Sequence, residues 1–281
     1  MDKSLQDKIR AEIKKTGFPL ELELTEKLRQ QDRVLVFPNI SFQNEEKSIK
    51  ELDIVAFFQD KDDEWDFGPV SIEVLIECKK TDKYPWVFFE EVYDPLTSLG
   101  LVQRADYLID LKMQIPCTVL MGCKNTELNQ HHYDDFNLPK FKTYFEAFKT
   151  SNDSTIFKAV MNIFHGRKYL KELFNRQFSG KKSENYNYRT FLMQYVIVLD
   201  GQLILASKSN GDFDLSEVNH IILKTIDTIS TTNNSLLGDE ILIDIVTREY
   251  FDEYVELTKK DVKKFSSHLK TIKNFELFKT N

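Results

Sequence analysis

Four charged side chains sit where the surrounding sequence is built for an interior. Asp53 lies inside IKELDIVAFF, Glu77 and Lys79 end SIEVLIECKK, and Glu21 opens the apolar run PLELELTEKL. Buried carboxylates held close together repel, and burying them unpaired is costly. A divalent cation removes that cost. Mg²⁺, or Mn²⁺ in its place, takes oxygen ligands, commonly one or two carboxylates with water and a substrate phosphate completing the octahedron. Such an ion lowers the pKa of bound water and stabilises charge on a phosphoryl oxygen. Lys79 beside it would be a fixed cation, able to orient the attacking water or the phosphate. The chemistry suggested is hydrolysis of a phosphate ester.

The elements around these residues can position them. In a strand, residues two apart share a face. Ile72, Val74 and Ile76 therefore face one way, and Glu77 and Lys79 point together to the other. Cys78, between them, faces the core. In the preceding strand the same rule predicts Leu52, Ile54 and Ala56 on one face, with Glu51, Asp53 and Val55 on the other. If the two strands are neighbours, Asp53 can approach Glu77 and Lys79. A helix is predicted from about Pro19 to Gln31. At about 100° per residue, Leu24 and Leu28 fall close to Glu21, with Leu20 and Leu22 flanking it and Glu23 pointing away. Glu21 then sits in the middle of the apolar arc.

The rest of the chain reads as follows. Leu5, Ile9 and Ile13 predict a short amphipathic helix ended by Gly17. RVLVFPNISF predicts a strand before the Asp53 strand. Residues 81–152 read as an insertion: YPWVFF as a loop or short strand, PCTVLMGC as a strand, KFKTYFEAF as a turn or two of helix. Ser154 to Gln177 predicts a longer helix, with Gly166 a candidate break. YVIVLDGQLILAS predicts a hairpin turning at Asp200-Gly201. EILIDIV predicts a strand, and residues 249–272 a terminal helix. The whole is expected to be one domain, 1–281, of α/β class, with a central mixed β-sheet flanked by helices.

Composition narrows the setting. The chain has 281 residues, 41% hydrophobic and 30% charged, enough for a sizeable core. A net charge of −7 argues against a surface coated in nucleic acid, though not against one local basic patch or a metal-mediated contact. Lys259, Lys260, Lys263 and Lys264 form a basic face on the last helix that could track a phosphate backbone, with a solvated face the more common reading. Cys78, Cys117 and Cys123 make an odd count with no disulfide spacing, as expected in a reducing compartment. The N-terminus is charged, and no apolar run reaches the about 20 residues of a membrane span. The expected location is the cytoplasm, without membrane contact; a homo-oligomer is compatible with all of this.

ELDIVAF and LIECKK together resemble the PD-(D/E)xK nuclease superfamily, the restriction-endonuclease-like fold. Asp53 matches the motif Asp; Glu77, Cys78 and Lys79 match (D/E)xK; Glu21 matches an acid many members carry on the helix before the first strand. Leu52 stands where the motif name has Pro. The match covers residues 17–80. It implies a restriction-endonuclease-like core and a nuclease using Mg²⁺ or Mn²⁺, acting on nucleic acid with DNA ranked ahead of RNA. Asp53 and Glu77 would hold the ion, with the backbone carbonyl of Cys78 a further ligand. Lys79 would position water, and Glu21 would help a second ion or orient Lys79. For the family's helix glutamine, Asn162 and Gln103 are the candidates. The alternative is a non-catalytic nucleic-acid-binding or assembly module on the same fold.

Plainer readings compete. Glu77 and Lys79 could be an ion pair on a solvated sheet face. Glu21 could simply complement the helix dipole. Cys117 and Cys123 with His131 and His132 fit no standard zinc spacing, so buried thiols and an exposed HHYDD loop are expected. Trp86, Phe88 and Phe89 could stack on bases, with core packing the default.

Overall fold

Residues 2–44, 46–60, 70–90, 106–109, 132, 140–141, 143–150, 154–178, 190–229 and 239–274 are described by a computed structural model. Helix α1 (Lys3–Lys15) is capped by Asp2, whose carboxylate accepts from the Ser4 amide. Its Leu5, Ile9 and Ile13 stripe stays largely exposed. Helix α2 (Phe18–Arg29) carries Pro19 in its first turn and buries Leu20, Leu24, Thr25 and Leu28. Strands β1 (Val34–Gln43), β2 (Ile49–Asp60) and β3 (Val70–Lys80) follow as an antiparallel meander. Then come β4 (Trp86–Phe89), β5 (Asp106–Ile109), β6 (Lys140–Phe141), β7 (Tyr144–Glu146) and helix α3 (Thr155–Phe178). Strands β8 (Thr190–Asp200), β9 (Leu203–Ser209), β10 (Asp212–Glu217), β11 (His220–Asp227) and β12 (Asp239–Thr247) lead through a 3₁₀ turn to helix α4 (Phe251–Asn274). No helix among the described residues is long and apolar enough to cross a membrane.

The main sheet is mixed, in the order β1-β2-β3-β8-β12-β11-β6, with β5 also on β8. β3, β8 and β12 are mutually parallel, as expected for strands buried on both faces. On one face, α2 and α4 pack over Ile54, Ala56, Ile72, Val74, Ile76 and Val196. On the other, α3 and a second sheet cover Leu75, Met193, Ile197 and Leu223. The sheet is thus flanked by helices on both sides, which is the expected α/β class. The second sheet has the order β10-β9-β4-β7. It draws β4 and β7 from residues 81–152 and β9 and β10 from beyond them.

Several expectations are corrected. Asp200-Gly201 does not close a hairpin. It hands the chain from β8 in the main sheet to β9 in the second. The two-residue hairpin lies ten residues on, where Asn210 and Gly211 join β9 to β10 with φ 44° and 92°. Both angles are positive, as a type I′ turn requires. KFKTYFEAF holds strands β6 and β7 rather than helix, because Glu146 is needed inward. Its carboxylate accepts from the Ser154 hydroxyl and from the Thr155 and Ile156 amides, capping α3.

Gly166 does not break α3 either. A Cβ there would lie 2.4 Å from Leu52 Cδ2, so the glycine lets the helix settle onto β2. Alanine normally stabilises a helix interior relative to glycine. Here the sign should reverse. Gly166→Ala is expected to destabilise by about 1–3 kcal/mol through overpacking. Urea denaturation would show this as a lower midpoint at unchanged slope; a midpoint at or above the wild type would mean that Leu52 moves aside freely.

Leu52 is itself a correction. It packs with α3, whereas Ile54, Ala56 and Phe58 pack with α2 and α4. β1 does the same: Val34 and Val36 lie on the α2 side, Ile40 and Phe42 on the α3 side. The change falls between Pro38↔Ile54 and Ile40↔Leu52, where Asn39 stands opposite Asp53 with φ 53°. A left-handed residue interrupts the pleat, and the alternation restarts on the other face.

Candidate active site

β2 and β3 pair in register only as far as Ile54↔Ile76. Beyond that level they fork, and the fork holds the charged residues. The backbone amide of Cys78 would otherwise seek a carbonyl on β2. Instead it donates to Asp53 Oδ2 at 2.6 Å. Lys79 Nζ donates to Glu77 Oε1 and, at 3.1 Å, to the Cys78 carbonyl. Asn162 on α3 donates to the same Glu77 Oε1 at 2.8 Å. The Glu77 side chain is 1% exposed and that of Lys79 is 22% exposed. Glu77 Oε2 is buried with no hydrogen-bond partner among the described residues.

Glu21 enters from the first turn of α2, within the arc of Leu20, Leu24 and Thr25. Leu22, expected to flank it, is instead 64% exposed. Glu23 points away, as expected, and binds Arg248. Glu51 is exposed at the rim.

The electrostatics follow from burial and crowding. Burial, then Asp53 and Glu51, push Glu21 up to about 6 against the pull of Lys79. Burial raises Asp53 above the ordinary carboxylate range, opposed by Lys79 and the Cys78 amide. Burial raises Glu77 to about 7; Lys79 opposes this and Asp53 adds to it. Burial disfavours the Lys79 ammonium, but Glu77 and Asp53 outweigh it and hold the amine above its usual value. Burial and the surrounding carboxylates push the Cys78 thiol well up, so it is not a nucleophile.

Among the described residues no three His, Cys, Asp and Glu side chains are grouped to hold a metal ion. The fork does fit an ion of the kind held by two carboxylates and completed by water. Asp53, the open Glu77 Oε2 and the Cys78 carbonyl are all hard oxygen donors, and the carboxylates are destabilised as anions by burial and by each other.

All four charged residues expected at the site converge on the fork, with Cys78 between them. Asn162 joins them on Glu77; Gln103 lies outside the described residues, as do Cys117, Cys123 and His131. Trp86 and Phe88 are core. His132 was expected on an exposed loop and is instead buried. Its ring bridges Asp261 on α4 and, at 3.1 Å, Asp244 on β12, which also binds His220 at 2.7 Å. Burial disfavours the His132 cation, but the two aspartates outweigh it and raise the ring to about 10. No local sequence signal marks this cluster, because its members come from distant segments. On comparison with known proteins, no family model, curated protein or solved structure matches the chain.

Proposed function

We propose that the β2–β3 fork is the active site of a divalent-metal-dependent nuclease of PD-(D/E)xK type on a restriction-endonuclease-like core. The observation that carries this reading is the convergence of Asp53 with Glu77 and Lys79 at a break in the ladder, with one oxygen of the buried Glu77 left open. Asp53, Glu77 and the Cys78 carbonyl would hold Mg²⁺ or Mn²⁺. When bound, the ion lowers the pKa of water and stabilises charge on the phosphoryl oxygens. Lys79 donates hydrogen bonds to the attacking water or the phosphate. Asn162 fixes the rotamer of Glu77, and Glu21 would help a second ion or orient Lys79. In the reaction a water oxygen bonds to phosphorus, one ester P–O bond breaks, and the leaving oxygen takes a proton. DNA ranks ahead of RNA as the substrate.

The second reading is a non-catalytic nucleic-acid-binding or assembly module. One observation favours it: Lys79 already neutralises Glu77 directly. Incubation with single- and double-stranded DNA and RNA, with and without Mg²⁺, separates the two. Cleavage that persists in excess chelator, or no cleavage of any of the four, would overturn the nuclease reading.

Metal binding can be tested without a substrate. At ten times its dissociation constant, Mg²⁺ or Mn²⁺ should stabilise the fold by about 1.4 kcal/mol. That is roughly 2–4 °C in melting temperature for a chain of this size. Asp53→Asn should melt at or above the metal-free wild type and lose most of the shift. Equal shifts in both proteins would place the ion elsewhere.

A further inference from the structure

We propose that the free edge of the second sheet, β10, together with the aromatic row beside it, docks an extended segment of a partner protein in which basic and apolar residues alternate. β10 ends the sheet and pairs only with β9 among the described residues. All six of its residues are exposed. Every second residue of such a strand points its amide and carbonyl to the open side, a template for one more strand.

Edge strands are usually blunted by lysine, proline or a bulge. DFDLSE has no lysine or proline, and its register with β9 runs unbroken from Asp212↔Ser209 to Glu217↔Ile204. It presents apolar surface instead. Phe213 is 51% exposed and Leu215 68%. The row continues inward: the Phe89 ring lies 5.5 Å from Phe213 and 5.7 Å from Phe145, itself 47% exposed. Three phenyl rings thus cross the outer face of the sheet to its open edge.

Charge selects the occupant. β10 carries Asp212, Asp214 and Glu217 and no basic residue. None of the three forms an ion pair among the described residues. A second copy of β10 laid alongside would set carboxylates against carboxylates, and a nucleic-acid backbone would meet the same field. A strand with Lys or Arg at alternate positions pairs with Asp212 and Asp214 on one face. Its apolar residues then fall on Phe213 and Leu215 on the other. This is strand addition with side-chain selection. It does not depend on the activity of the fork.

The test uses the full chain and a short fluorescein-labelled peptide of alternating Lys and Val, followed by anisotropy at low salt. The expected result is saturable binding, weakened at least about tenfold, or about 1.4 kcal/mol, by Asp214→Lys or Phe213→Ala. The same loss is expected when alternate amides of the peptide are N-methylated, and when Glu replaces its Lys. Both substitutions are at exposed positions, and thermal melts of the free proteins check that they fold. Equal binding of the N-methylated peptide would reduce the effect to unspecific charge attraction and overturn the proposal. So would binding indifferent to both substitutions. Tighter binding of a short oligodeoxythymidine that is lost in Phe213→Ala would assign the face to unpaired bases instead. Dimerisation abolished by Asp214→Lys would assign it to a second copy.

Discussion

Asp53→Asn and Lys79→Ala proteins are each expected to fold and to cleave nucleic acid at least about 10²-fold more slowly than the wild type. Each change removes several kcal/mol of transition-state stabilisation on this order. The two act differently on the ground state. Asn at 53 keeps an oxygen for the Cys78 amide, so the fork stays closed at that point while a ligand charge is lost. Ala at 79 leaves Glu77 with Asn162 as its remaining partner among the described residues. Burial already holds Glu77 up to about 7, so it can take a proton rather than unfold the sheet. Initial cleavage rates in Mg²⁺, paired with circular-dichroism melts, check both. A folded Asp53→Asn protein with wild-type turnover would sink the site assignment. An Asp53→Asn protein that melts far below the wild type would make Asp53 a structural residue.

The second large effect is on stability and arises at Glu73. It is fully buried on β3, and neither carboxylate oxygen has a partner among the described residues. Burial alone pushes its pKa from the ordinary 4.5 up to about 8. The native state therefore keeps a proton that the unfolded chain releases above 4.5. Stability from this group is highest at and below that pH. It falls by about 1.4 kcal/mol for each pH unit between the two values and levels off above about 8. The total is on the order of 5 kcal/mol, as an upper bound. Glu73→Gln cannot ionise. It is expected to match the wild type near pH 4.5 and to exceed it by several kcal/mol at pH 8 and above. Glu21 and Glu77 are raised in the same direction, so both proteins retain a residual slope and the difference between them isolates Glu73. Urea midpoints at both pH values measure it. Parallel curves would mean that Glu73 is ionised and satisfied in the folded state.

The clustering of the candidate residues was legible because its signal is local and periodic. Two-residue spacing in LIECKK puts Glu77 beside Lys79 whatever else the chain does, and a hundred degrees per residue puts Glu21 among Leu24 and Leu28. What was not legible depends on single backbone events or on distant partners. Nothing in RVLVFPNISF announces that Asn39 adopts a positive φ, so strand alternation alone puts Leu52 on the face of Ile54. Asp200-Gly201 and Asn210-Gly211 are both favoured turn pairs. The first lies between the longer apolar runs, and only the crossover of β8 and β9 to different sheets shows that the second is the hairpin. The helix misread in KFKTYFEAF has a similar cause. Tyr144, Phe145 and Glu146 alternate over too few residues to outweigh helical spacing, and the cap that Glu146 makes on α3 is tertiary. His132 is hidden for the same reason, since its aspartates lie more than a hundred residues away.

The Cys78 amide, held by a carboxylate where its neighbours up the strand are held by carbonyls, gives the protein a built-in spectroscopic reporter. Its proton lies in the field of Asp53, so its chemical shift and its exchange with solvent follow the charge on that one side chain. Anything that draws on Asp53, whether an ion, a proton or a phosphate, is registered at a single resonance near the end of an otherwise ordinary strand. The occupancy of the fork can therefore be followed by nuclear magnetic resonance without any substrate present.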